Sequence, residues 1–97
     1  MRKKEFNQIL RDIEKEIGFT EIQANNNSGA IWRTSFKGNQ YLRFGYYTRI
    51  ATKEIAEKIV NAEAFKKLNC NYEIQQINDS FSGQAVYRIF LLDFIII

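Results

Sequence analysis

The chain has no histidine and no proline, a single cysteine, and five scattered glycines in 97 residues. Without histidine it lacks the commonest general base, the commonest zinc ligand and the side chain that titrates nearest neutral pH. Ser–His and Cys–His nucleophile arrangements are excluded outright. One thiol, Cys70, cannot close an internal disulfide and is too little for a thiolate metal cluster. It stands between Asn69 and Asn71, far in sequence from an activating base, and reads as a structural thiol. Glycines spaced singly give no phosphate-cradling loop. No cofactor and no metal are expected. No run of residues approaches the ~20 apolar positions that span a bilayer. The basic opening Met1-Arg2-Lys3-Lys4 runs into Glu5, Asn7, Gln8, Arg11 and Asp12 where a leader would be apolar, so no signal peptide and no membrane partner are expected. One unpaired cysteine suits a reducing compartment, and the expected location is cytoplasmic. The missing proline, with abundant Asn, Ile and Lys, suggests an AT-rich coding source such as a low-GC bacterium or its phages.

What is present is enough for one core. Hydrophobic residues make up 45% and aromatics 14% of the chain, which argues for a single folded domain over 1–97. Phe6, Ile9, Leu10, Ile13 and Ile17 recur at helical spacing, so 2–17 reads as a helix ended by Gly18. A short strand is expected over 19–25, followed by an Asn-rich turn at 25–29. Residues 30–37 and 40–50 read as a hairpin turning at Gly38-Asn39. A second helix is expected over 52–68 with Thr52 as its N-cap. Its stripe Ile55, Ala56, Ile59 and Val60 is rotated from Ala64, Phe65 and Leu68, with Glu63 between, which suggests either a bend or break near Asn61–Glu63 or a helix partly covered on both sides. Strands at 70–77 and 85–96 close the list. The last is apolar on both faces and belongs in a sheet interior or against a second copy of the chain. The expected fold class is α+β, order α-β-β-β-α-β-β, an antiparallel sheet with two helices packed on one face.

Net charge is +3, but its distribution matters more. Residues 1–21 balance, residues 54–97 carry −2, and residues 22–53 carry +5 with no Asp or Glu at all. Strand alternation predicts Trp32, Thr34 and Phe36 with Leu42, Phe44, Tyr46 and Ile50 toward the helices. Ile31, Arg33, Ser35 and Lys37 with Tyr41, Arg43, Tyr47 and Arg49 then take the other face. Arg33, Lys37, Tyr41, Arg43, Tyr47 and Arg49 are the candidate contact residues, cations interleaved with rings on an open sheet face. Guanidinium groups suit phosphates and base edges, and phenol rings suit stacking. The same composition also occurs on ordinary solvated strands and on protein interfaces.

Trp32-Arg33, Phe36, Gly38, then Phe44-Gly45-Tyr46-Tyr47-Thr48, then the alanine-bearing helix from Thr52, resembles the APETALA-type DNA-binding domain. It is also similar to the arm-DNA-binding domain of phage-type tyrosine recombinases. The resemblance covers roughly residues 30–65. It implies a three-stranded sheet entering the major groove with a helix behind it, and Arg33, Arg43 and Arg49 as the DNA-contacting residues. The chain departs from that pattern by an added first helix, two added strands and one extra residue before Gly45.

The carboxylates Asp12, Glu14, Glu16, Glu54, Glu57, Asp79 and Asp93 could in principle hold a metal for phosphodiester cleavage. No Glu-x-Lys step exists in the chain, and Glu14, Glu16, Glu54 and Glu57 read as solvated helix faces. Asp79 reads as a turn former. Asp93 interrupts an apolar strand and is expected to need an Arg or Lys partner if buried. The chain is therefore expected to be a non-enzymatic binding module, with nucleic acid, DNA favoured, as its partner. The alternative is a phage or mobile-element inhibitor of the anti-CRISPR kind, bound to a host nucleic-acid-processing protein. A homodimer through the C-terminal strand is compatible with either.

Overall fold

The computed structural model describes residues 1–18, 31–44, 53–78, 83 and 85–96, with backbone alone at 32–34, 36, 43 and 44. Helix α1 runs Lys3–Glu16. Phe6, Ile9, Leu10 and Ile13 are buried, as their spacing predicts, and Ile17 is half-buried just beyond. Gly18 follows at φ 76°, the left-handed conformation that ends helices.

Strands β1 (Ile31–Phe36) and β2 (Asn39–Phe44) form the expected hairpin. Its turn lies one residue earlier than the sequence suggested. Lys37 and Gly38 are its central pair, with φ 52° and 81°. Two successive positive φ values give a turn whose twist matches that of the strands. The expected strand at 19–25, the turn at 25–29, the Thr52 cap and the end of the hairpin beyond 44 lie outside the described residues.

The second helical stretch breaks where its two stripes diverge. Helix α2 covers Lys53–Asn61, and a 3-10 helix covers Ala64–Leu68. The break lets Ala56, Ile59 and Val60 on one segment and Ala64, Phe65 and Leu68 on the other all reach the core. Glu16 of α1 secures the junction, its carboxylate oxygens accepting the N–H of Glu63 at 2.5 Å and of Ala64 at 3.0 Å. Asn69 then reverses the chain at φ 48°.

Strands β3 (Asn71–Asn78) and β4 (Ala85–Leu92) complete a four-stranded antiparallel sheet of order β1-β2-β4-β3. The apolar last strand takes the interior: β4 pairs with β2 over Ile89–Leu91 and with all of β3. Phe6, Leu10, Ile13, Ile31, Leu42, Ile59, Ile89 and Leu91 are the largest fully buried side chains. The sheet members of that set meet α1, α2 and the 3-10 helix in one cluster, so the helices share one face of an α+β sheet.

This packing bears on three expectations, and it corrects the first. Ile31, expected on the open face, is fully buried in the core. Asp93, expected to need a cationic partner only if buried, is exposed at φ 52° just after β4, where a short polar side chain tolerates the left-handed turn. The homodimer expected through the C-terminal strand would not use the stretch of β4 that lies between β2 and β3, while Ile95 just beyond that strand is 75% exposed. Phe94 packs on Phe6 with ring centroids 5.4 Å apart, and Ile96 joins the core margin.

Candidate functional site

Residues directly opposite in an antiparallel ladder share a face. Arg33 pairs with Leu42 and Trp32 with Arg43, so the arginines at 33 and 43 occupy ladder positions on opposite faces of the sheet. Leu42 is fully buried beneath the helices, which fixes the outer face as the one carrying the positions of Trp32, Thr34, Phe36, Asn39, Tyr41 and Arg43. The expected face therefore does not assemble as drawn. Lys37 is exposed at the hairpin tip. Tyr47 and Arg49 lie outside the described residues.

Tyr41 corrects the expectation most directly. It points away from the helices, as alternation requires, yet it is only 7% exposed. Its cover comes from β4, the neighbouring strand. Phe90, its ladder partner, stacks on it with centroids 5.1 Å apart and planes at 30°. The Arg88 guanidinium lies over the ring, 4.1 Å from its centroid. Aromatic stacking and a cation on the ring face each contribute about 0.5–1.5 kcal/mol beyond area burial. Arg88 is fixed from the other side by its Nε, which donates to Gln75 Oε1 at 2.7 Å. No carboxylate pairs with Arg88 among the described residues, although Glu73 lies on the same face one strand away. The outer face thus holds a half-buried cation on an aromatic base, flanked by half-buried Val86, Phe90, Leu92 and Ile77.

Arg88 and Phe90 were not among the candidate residues because the last strand reads as core. The available signal was Arg88 itself, a lone cation within an apolar strand. Glu14 and Arg11 were also missed. Glu14, expected on a solvated helix face, is 8% exposed. Its Oε1 accepts the Ile31 N–H at 2.6 Å and faces Arg11 Nη2 at 3.0 Å. That same Arg11 nitrogen donates to the Ile31 carbonyl at 2.6 Å. Burial pushes the Glu14 carboxyl above its ordinary range, against the opposing pull of the Ile31 hydrogen bond and of Arg11. The pair acts as a structural clamp on the first residue of β1.

Cys70 is half-buried beside a cleft lined by Phe65, Lys66, Tyr72, Asp93 and Phe94, and burial pushes its thiol up, away from the thiolate form. Among the described residues no three His, Cys, Asp or Glu side chains come together as a metal site. No helix among them is long and apolar enough to cross a membrane. Comparison with the known protein families, with characterised proteins and with solved structures finds no match to this chain.

Proposed function

We propose that the chain is a non-catalytic binding module and that the outer face of its sheet meets nucleic acid, DNA in preference to RNA. The observation that carries this reading is Arg88, held over Tyr41 and by Gln75 with no carboxylate partner among the described residues, on the face that the acid-free hairpin extends. The Arg43 position follows the last Leu42–Ile89 ladder pair on β2, as Arg88 adjoins that pair on β4. Two cationic positions side by side, without a carboxylate on β1 or β2, suit a phosphate between them. Lys37 at the exposed tip extends the basic edge.

Fluorescence anisotropy with labelled duplex and single strand at low and moderate salt tests the reading. Binding is expected to weaken with salt as counterions are released. Arg88→Met, which keeps apolar contact with Tyr41, and Arg43→Glu are expected to weaken it, while Lys58→Glu on α2 leaves it unchanged. Arg33→Glu is expected to matter less than Arg43→Glu, since position 33 lies opposite Leu42. No binding to either strand form at low salt would sink the proposal.

A second reading is favoured by the aromatic content of the same face. Tyr, Phe and Arg on a half-buried apolar surround are typical of interface anchors. An inhibitor acting by protein contact, of the phage anti-defence kind, would use this surface against a host nucleic-acid-processing protein. Retention of one protein from lysate after nuclease treatment, and its loss with Arg88→Met, would support this reading over the first.

A further inference from the structure

Strand β3 is an eight-residue edge strand with one ionisable carboxylate, Glu73, and no proline or bulge in its ladder with β4. Among the described residues nothing bonds to its outer side. Long, regular edges with so little charge are templates for another strand, and proteins ordinarily interrupt them. Tyr72 near its start is 41% exposed, its ring edge-on to that of Phe65 with centroids 5.4 Å apart.

We propose that β3 pairs with β3 of a second copy of the chain, antiparallel about a two-fold axis at Ile74, giving a continuous eight-stranded sheet. The register follows from the side chains. An axis at Ile74 keeps the helices of both copies on one side and sets Ile74 against Ile74, Tyr72 against Gln76, and Glu73 against Gln75 of the second copy. Gln75 turns its amide oxygen to Arg88 Nε, which leaves its NH₂ group free to donate across the edge. Glu73 is exposed and has no partner among the described residues, so its carboxylate meets that donor twice, once on each side of the axis. No like charges face each other. The pairing is also closed, because each copy uses the same strand edge about a two-fold axis, and the opposite edge is held at Ile31 by α1. A head-to-tail arrangement of β3 on β1 would propagate instead.

Sedimentation equilibrium from low micromolar to near millimolar protein tests this. The wild-type chain is expected to show a reversible monomer–dimer equilibrium, with β3 amides exchanging more slowly as concentration rises. Gln75→Glu keeps the Arg88 contact as an ion pair, so the monomer folds, but it sets Glu73 against a carboxylate at both symmetric sites. Its dimer dissociation constant is expected to rise by about tenfold, as opposed like charges in a ladder are destabilising. Glu73→Lys combined with Gln75→Glu is expected to restore the wild-type value within threefold. Far-UV circular dichroism checks that each variant is folded. A concentration-independent monomer overturns the proposal. So does an unchanged dissociation constant for Gln75→Glu, or a double variant that stays weak. Association of the wild type without limit into higher species would replace it with the head-to-tail arrangement.

Discussion

At the β1 edge, Ile31 gives its N–H to Glu14 and its carbonyl to Arg11, both from α1. At the β3 edge, eight residues run past with no partner among the described residues. Both are outer strands of one sheet, and both are joined to an inner strand by a full antiparallel ladder. The difference lies in what surrounds them. Ile31 is fully buried, so its backbone groups cannot turn to water, and an orphaned buried amide would cost about 1–3 kcal/mol. The backbone of β3 is flanked by exposed Asn71, Tyr72, Glu73, Gln76 and Asn78, so its outer groups lie within reach of solvent. Burial forces a built-in partner on one edge; solvation leaves the other open for an external one.

The largest break in that comparison is Glu14→Ala. It orphans the Ile31 N–H and leaves Arg11 beside the buried carbonyl without its carboxylate. A loss of about 2 kcal/mol in urea unfolding is expected. Gln76→Lys on β3, measured at a concentration where the chain is monomeric, is expected to stay within about 0.5 kcal/mol of wild type. Equal costs at the two edges would show that the clamp is incidental.

Acid sharpens the same contrast. The Glu14 carboxyl titrates above 4.5 in the folded chain because burial disfavours its charge, and this outweighs its hydrogen bond and Arg11. A raised folded value means that the native state holds the proton more tightly than the unfolded chain. The stability belonging to that proton is fully present below the unfolded value and is lost as pH rises through the folded one. Glu14→Gln has no such proton. The stability difference, wild type minus Glu14→Gln, is therefore expected to grow as pH falls toward 4.5 and then to level off. A difference that shrinks on acidification would mean that Arg11 and the amide dominate.

The sequence carries the helices well because their signal is local. Five apolar residues at helical spacing place α1, and the rotation between Ile59 and Phe65 places the break before the 3-10 helix. Glu14 was illegible on the same arithmetic, since it sits at the border of the stripe and its partner is an amide seventeen residues away. The sheet faces failed for a different reason. A two-residue turn pairs odd positions with even ones, as Phe36 with Asn39 shows. Trp32, Thr34 and Phe36 cannot then share a face with Leu42 and Phe44. Apolarity suggested that grouping, but the expected turn already forbade it. Within β1, packing chose Ile31 for the core and put the position of Trp32 outside. The candidate site suffered accordingly. Lys37 is exposed at the hairpin tip and position 43 lies on the outer face of the ladder, while Tyr41 became the floor under Arg88, a contact between residues more than forty positions apart.

The smallest expected effect lies at the hairpin tip that sets this register. Lys37 sits at φ 52°, where the Cβ of any L residue crowds the following carbonyl and Asn or Asp offset this best through local hydrogen bonds of their side chains. Gly38 follows at φ 81°, and Asn-Gly is the pair that such a turn favours. Lys37→Asn is therefore expected to stabilise the chain by about 0.5–1 kcal/mol, part of the ~1–2 kcal/mol that a left-handed residue costs. The register is expected to stay the same, because the two positive φ values remain in place. Thermal unfolding gives the stability, and cross-strand contacts in solution between Ser35 and Gln40 report the register. The variant also removes a cation, so it separates two roles of one residue. A more stable chain that binds nucleic acid less tightly would place Lys37 in the contact surface. A less stable one would show that the lysine side chain, and not the backbone turn, holds the tip.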